Sequence, residues 1–149
     1  MAQAPPRLQL NAEVLLCHGT PTSDRTYRPH KGRRGDMREA SAAEVARDAT
    51  KHALTLCGHT HLPRCVSLGD GRQIANPGSV GFPAYQLDLA SYQEADGPHA
   101  RYLTAERIGG RWPVELQAVA YDVEAPARRA QAAGRPTWAY APRTGRVMR

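Results

Sequence analysis

The chain has 149 residues, enough for one ordinary folded unit with a real core, and 41% of them are hydrophobic. Its formal charge is +6, yet the basic residues are 18 arginines against only Lys31 and Lys51 beside many Ala, Gly and Pro, which reads as compositional bias and not as a nucleic-acid-binding face. No apolar run approaches the ~20 residues of a membrane helix, and the start MAQAPPRLQL lacks the features of a secretory signal, so a cytoplasmic location without membrane contact is expected.

Residues 1–10 show little pattern. Glu13 to Cys17 is a short apolar run that reads as a buried strand and stops at the turn composition His18-Gly19-Thr20-Pro21. Residues 23–40 are polar and read as one long loop. Ser41-Ala42-Ala43-Glu44 is a capping box, predicting a helix to about His52. Ala53 to Cys57 is a second buried strand, broken by Gly58. Arg64 to Leu68 and Arg72 to Asn76 flank Gly69-Asp70-Gly71 as a hairpin, and Asn76-Pro77-Gly78-Ser79 is a tight turn. Residues 82–98 read as irregular.

A second hairpin spans His99 to Ile108 and Trp112 to Tyr121, with Val114, Leu116, Ala118 and Ala120 on one face of its second arm. Val123 to Ala133 reads as a helix, and a flexible tail is expected from about residue 134. Residues 1–149 are expected to form a single domain. Cys17, Cys57 and Cys65 are an odd set in a chain without an export signal, so they are expected to be reduced and partly buried.

Three of the six histidines stand where chemistry is done. His18 ends the first strand, and His59 and His61 follow the second, within Cys57-Gly58-His59-Thr60-His61. In α/β sheets ligands bind at the carboxyl ends of strands. Imidazole suits Zn, Mn, Fe and Ni. The glycines beside His18 and His59, Gly19 and Gly58, permit close backbone turns. In an extended segment His-x-His puts both rings on one side. A solvated turn carrying two histidines is the plain alternative, as are solvated positions for His30, His52 and His99. Cys57, His59, His61 and Cys65 are a further candidate set for a structural zinc, at spacings unlike the usual knuckle. Asp24 is a candidate to orient a ligand, Arg25 and Arg28 to meet phosphate, and Tyr85 to line the site.

The blocks Val14-Leu15-Leu16-Cys17-His18-Gly19-Thr20-Pro21, Gly58-His59-Thr60-His61 and Ile74-Ala75-Asn76-Pro77-Gly78-Ser79-Val80-Gly81 resemble three successive signatures of the calcineurin-like metallophosphoesterases, in the family's order. The small bacterial phosphoesterases are the nearest type, and the resemblance runs from about Leu8 to Asp122. It implies an α+β chain forming the second half of a four-layer α/β/β/α sandwich. It also implies that His18 and His59 ligate one metal of a pair and His61 the other, with Gly19, Gly58, Asn76 and Gly78 shaping the site loops. The implied activity is metal-dependent hydrolysis of phosphomonoesters or phosphodiesters.

The family's site also uses an early Asp-x-His, a Gly-Asp and a Gly-Asn-His-Asp. Here no Asp precedes a His by two residues, there is no Asn-His, and Gly35-Asp36 and Gly69-Asp70 both follow His18. A bridging carboxylate offsets two dications held close together. Three imidazoles do not, so at most one divalent metal (Mn, Zn, Fe or Ni) and weak or no activity are expected of the chain by itself. An amino-terminally truncated domain is expected, self-associating through an uncovered sheet face. The alternative is a non-catalytic protein-binding scaffold, or a relic, of the same fold.

Overall fold

A computed structural model describes residues 5–33, 36–88, 91–95 and 97–148. Its centre is a five-stranded sheet in the order β1-β2-β5-β7-β6. The strands are β1 (Arg7–Gln9), β2 (Val14–Cys17), β5 (Leu54–Leu56), β6 (Arg64–Ser67) and β7 (Gln73–Asn76). β2, β5 and β7 run parallel, while β1 and β6 close the two edges antiparallel.

The parallel strands explain the sequence pattern. Val14, Leu15, Leu54, Ile74 and Ala75 are all buried, as continuous apolar runs in parallel sheets are. Cys17, Cys57, Val66, Leu68 and Ile74 pack with Ala40 and Val45 as the main core cluster. Val45 comes from α1 (Ala42–Ala46), whose capping box forms as predicted: Glu44 N donates to Ser41 Oγ at 3.2 Å and Ser41 N to Glu44 Oε2 at 2.9 Å.

That helix ends at Ala46, well short of His52. Its last carbonyls find a distant partner, the buried guanidinium of Arg28, which donates to Val45 O at 3.0 Å and Asp48 O at 2.9 Å. A helix stop supplied by a residue far away in sequence leaves no local signal. Arg28, a candidate to meet phosphate, is instead buried with its guanidinium on these two carbonyls.

Other expectations also fail where pairing is tertiary. Arg7–Gln9, without visible pattern, becomes the edge strand β1, its three residues all exposed. The expected loop 23–40 contains β3 (His30–Arg33) and β4 (Asp36–Glu39), which pair with each other. The expected irregular stretch contains β8 (Ala84–Asp88) and β9 (Ser91–Glu94), also a pair. β10 (Ala100–Ala105) and β11 (Val114–Val119) form the second hairpin as predicted, in register from Ala100↔Val119 to Ala105↔Val114.

α2 (Glu124–Ala132) is the expected helix, but residues Pro136–Thr144, expected as tail, form α3. Pro136 starts it and Gly145, at φ 71, ends it in the left-handed conformation. Ala139 and Ala141 are buried, and Ala141 joins Ala84 and Val147 in a second small core. Small residues give a weak hydrophobic signal, so this helix was hard to see. Among the described residues, no helix is long and apolar enough to cross a membrane.

Candidate functional site

β2 and β5 are parallel neighbours with Leu16 opposite Leu56, so the chain leaves both at the same edge of the sheet. The ladder continues one step past the strands, where Gly58 N donates to His18 O at 2.9 Å. This brings His18 and His59 together: His18 Nε2 lies 3.0 Å from His59 Nδ1, with ring centroids 4.8 Å apart. Tyr27 stacks on the His59 ring at 4.9 Å and 20°. Gly19 is required next to His18. A Cβ there would stand 2.5 Å from Thr26 O and 2.7 Å from Ser23 O.

The Gly58–His61 loop is unusual in its backbone. His59 (φ 67) and His61 (φ 61) both occupy the left-handed region, which costs a non-glycine residue about 1–2 kcal/mol. Across His59, Thr60 N donates to Gly58 O at 2.8 Å, the i→i+2 closure of a γ-turn. Such a conformation persists only when its surroundings impose it.

Here the imposing group is Asn76, fully buried at the end of β7. Its Nδ2 donates to Gly58 O at 2.5 Å, Thr60 Oγ1 at 2.9 Å and Arg28 O at 3.4 Å. Its Oδ1 accepts from Gly78 N at 2.9 Å. Thr60, also fully buried, accepts in turn from Leu62 N at 3.3 Å. Gly78 is held at φ 94, where a Cβ would come within 2.9 Å of the Arg101 side chain. Asn76 and Gly78 thus shape the loop.

His61 points another way from His59. Its Nδ1 lies 2.8 Å from the carbonyl oxygen of Phe82. A carbonyl only accepts, so Nδ1 carries the proton and Nε2 presents its lone pair. Burial pushes the His61 pKa down, against the raising effect of the Phe82 carbonyl and with a smaller lowering by His18. The shift favours the neutral ring, the form that binds a metal.

The donor set fits part of one metal centre. The two imidazole nitrogens at 3.0 Å are near the ~3.3 Å that separates two ligands of a tetrahedral Zn with ~2.05 Å bonds. Among the described residues, however, no three His, Cys, Asp or Glu groups converge as a metal site. The Cys57–Cys65 zinc set fails for the same reason, and physically because Cys57 is buried with Sγ donating to the carbonyls of Arg28 at 3.2 Å and Ala75 at 3.5 Å. Burial pushes that thiol up to about 12. All three cysteines are free, as expected.

Asp24 lines a cleft beside the site with Arg7, Thr20 and Ser23. Asp70 pairs with Arg72 at 2.6 Å in the hairpin turn, away from the histidines, and Gly35 lies outside the described residues. His30 and His52, expected in solvent, are buried. The sequence reading missed Tyr27, Thr60 and Phe82. Thr60 had a signal in its place between two histidines, whereas Phe82 acts through its backbone carbonyl, which leaves none.

The fold is similar to that of a metallophosphoesterase from Sphaerobacter thermophilus, with a TM-score of 0.67 and 21% identity over 95% of this chain and 58% of that one. It is also similar to a hypothetical protein from Pyrococcus horikoshii OT3, with a TM-score of 0.62 and 16% identity over 95% of this chain and 51% of that one. No protein-family model and no curated protein matches the sequence. The chain thus has the α+β fold of a metallophosphoesterase and spans little more than half the length of these two structures.

Proposed function

We propose that this chain belongs to a cytoplasmic metal-dependent phosphoesterase and supplies the imidazole part of its centre, with weak or no turnover by itself. The observation that carries this reading is the meeting of His18 and His59, 3.0 Å apart at the carboxyl edge of two parallel strands. His61 follows His59 by two residues in the same loop. A divalent cation bound there would supply Lewis-acid polarisation of a phosphoryl oxygen.

The chain's own residues do the positioning. His18 and His59 offer nitrogen donors, Tyr27 limits rotation of the His59 ring, and Asn76 with Thr60 holds the loop. His61 offers a lone pair oriented by its bond to Phe82 O. No carboxylate joins them among the described residues, which favours one cation over a bridged pair.

Elemental analysis after loading with Mn, Zn, Fe or Ni tests the reading, on wild type and on the His59→Ala/His61→Ala variant. One cation retained per chain and lost in the variant is expected, with little hydrolysis of a generic phosphodiester. No retention by the wild type overturns the reading, and two cations with rapid turnover overturn its single-cation part.

A second reading, a protein-binding scaffold of the same fold, is favoured by the β10–β11 hairpin and its surroundings. Tyr102 and Val119 share one face of the ladder and remain 45% and 44% exposed. Self-association through that face is expected to raise the apparent mass on size-exclusion chromatography, and Val119→Lys is expected to reverse it.

A further inference from the structure

Beside His61 the molecule places a run of aromatic rings, of which Phe82 and Tyr85 are half-buried and Trp138 is exposed. Phe82 and Tyr85 both meet the imidazole edge-to-face, at 6.3 Å and 83° and at 5.1 Å and 72°. The two are nearly parallel to each other, at 10°. Phe82 then meets Trp138 of α3 at 5.4 Å and 63°. The Arg135 guanidinium lies over the Trp138 ring at 4.6 Å.

These rings are not core. The second small core is built of Ala84, Ala141 and Val147, while Trp138 projects off the buried face of α3 and stays 51% exposed. Phe82 is half-buried, and Val80 beside it is 68% exposed. A single exposed aromatic needs no explanation. A contiguous strip that starts at the His61 imidazole and ends under a cation is a different object, because apolar patches of this kind mark binding sites.

The type of side chain indicates the ligand. Aliphatic residues would serve an alkyl group as well, whereas rings offer π faces, and stacking on them is tolerant of which planar group arrives. Arg135 adds positive charge over the far ring, which suits an electron-rich planar group on an anionic molecule.

We propose that the strip Tyr85–Phe82–Trp138 is a subsite for the organic part of the substrate, and that the substrate class is a phosphate ester carrying a planar aromatic group, an aryl or a nucleobase. The proposal rests on the phosphate-handling role assigned above to the imidazoles. Phe82 has two parts in it: its carbonyl orients His61, and its ring is the middle step of the strip.

The test uses the full chain loaded with Zn. Trp112→Phe leaves Trp138 as the one tryptophan, since the chain has two. Adenosine 5′-monophosphate, phenyl phosphate, ribose 5-phosphate, adenosine and inorganic phosphate are each titrated by calorimetry, with Trp138 emission followed in parallel. The two aromatic esters are expected to quench Trp138 saturably and to bind on the order of tenfold more tightly than ribose 5-phosphate. Phe82→Leu keeps apolar volume and the backbone carbonyl. It is expected to bring the aromatic esters and ribose 5-phosphate to about equal affinity, with its melting curve checking that it folds.

Equal binding of adenosine 5′-monophosphate and ribose 5-phosphate, or an advantage that survives Phe82→Leu, overturns the subsite. If inorganic phosphate still binds in that case, the phosphate-handling reading stands without it. If adenosine binds as tightly as its monophosphate and inorganic phosphate does not compete, the aromatic subsite stands and the phosphate-handling reading falls. Preference for the aryl ester over the nucleotide, or the reverse, assigns the planar group within the class.

Discussion

Two loops of the central sheet, the turn that joins the paired strands β6 and β7 and the loop that leads from β5 past β7 to β6, are built on opposite principles. The β6–β7 turn, Gly69-Asp70-Gly71, is local. Gly71 takes φ 88 with nothing within 4 Å of where a Cβ would be, and Asp70 accepts from Arg72 at 3.1 Å from its own neighbourhood. The loop after β5 holds two histidines at positive φ, with no glycine at either, and depends on its own Thr60 and on Asn76 and Gly78 from a later stretch of chain. A turn that only connects can use the residue that costs least. A turn that must present imidazoles carries side chains where glycine would be easier, and the buried amide of Asn76 offsets the strain.

That difference is sharpest at Asn76. Asn76→Ala is expected to lower stability by about 3 kcal/mol, because buried carbonyl, hydroxyl and N–H groups lose their partner together. Urea unfolding reads the loss, and cation retention should fall with it. A loss below about 1 kcal/mol would mean that the loop is not held from β7.

Acid should act through the same region. His30 sits 3.5 Å from Thr60 Oγ1 and is buried, and desolvation, aided by Arg64, lowers its pKa from 6.5 to about 4. Its native form is neutral where the unfolded form takes up a proton. The His30 contribution to stability should therefore be complete above about 6.5, fall as pH drops toward about 4, and level off below that. Thermal midpoints across this window check the sign, and His30→Asn should flatten the acid limb.

In the local turn, Gly71→Ala is expected to cost about 1 kcal/mol, the left-handed penalty alone, with no change in cation retention. The smallest effect belongs to His59→Gly. Relief of positive φ opposes the loss of the Tyr27 and His18 ring contacts, so stability should stay within about 1 kcal/mol of wild type while cation binding is lost. If that variant lost stability as Asn76→Ala does, the histidine would be part of the scaffold and the contrast between the loops would fail.

How much of this was legible beforehand follows the same division. β2, β5, the β6–β7 and β10–β11 hairpins and the α1 capping box were readable because apolar runs, Gly-rich turns and caps act over a few residues. His18, His59 and His61 could be singled out by their place after two such strands, and the structure brings His18 and His59 into contact. The chain alone also determined that these were histidines and not carboxylates, hence a donor set without negative charge.

Tertiary structure decided the rest. It set the early end of α1, because Arg28 reaches its carbonyls from outside. It set the pairing of β1, β3–β4 and β8–β9, whose short polar strands gain order only from their partners. It placed α3 against Ala84, and with it Trp138 beside Phe82. It also fixed the left-handed turns at His59 and His61, since nothing in a His-Thr-His sequence favours positive φ until a buried amide distant in the chain supplies the hydrogen bonds that make it the lowest-energy path.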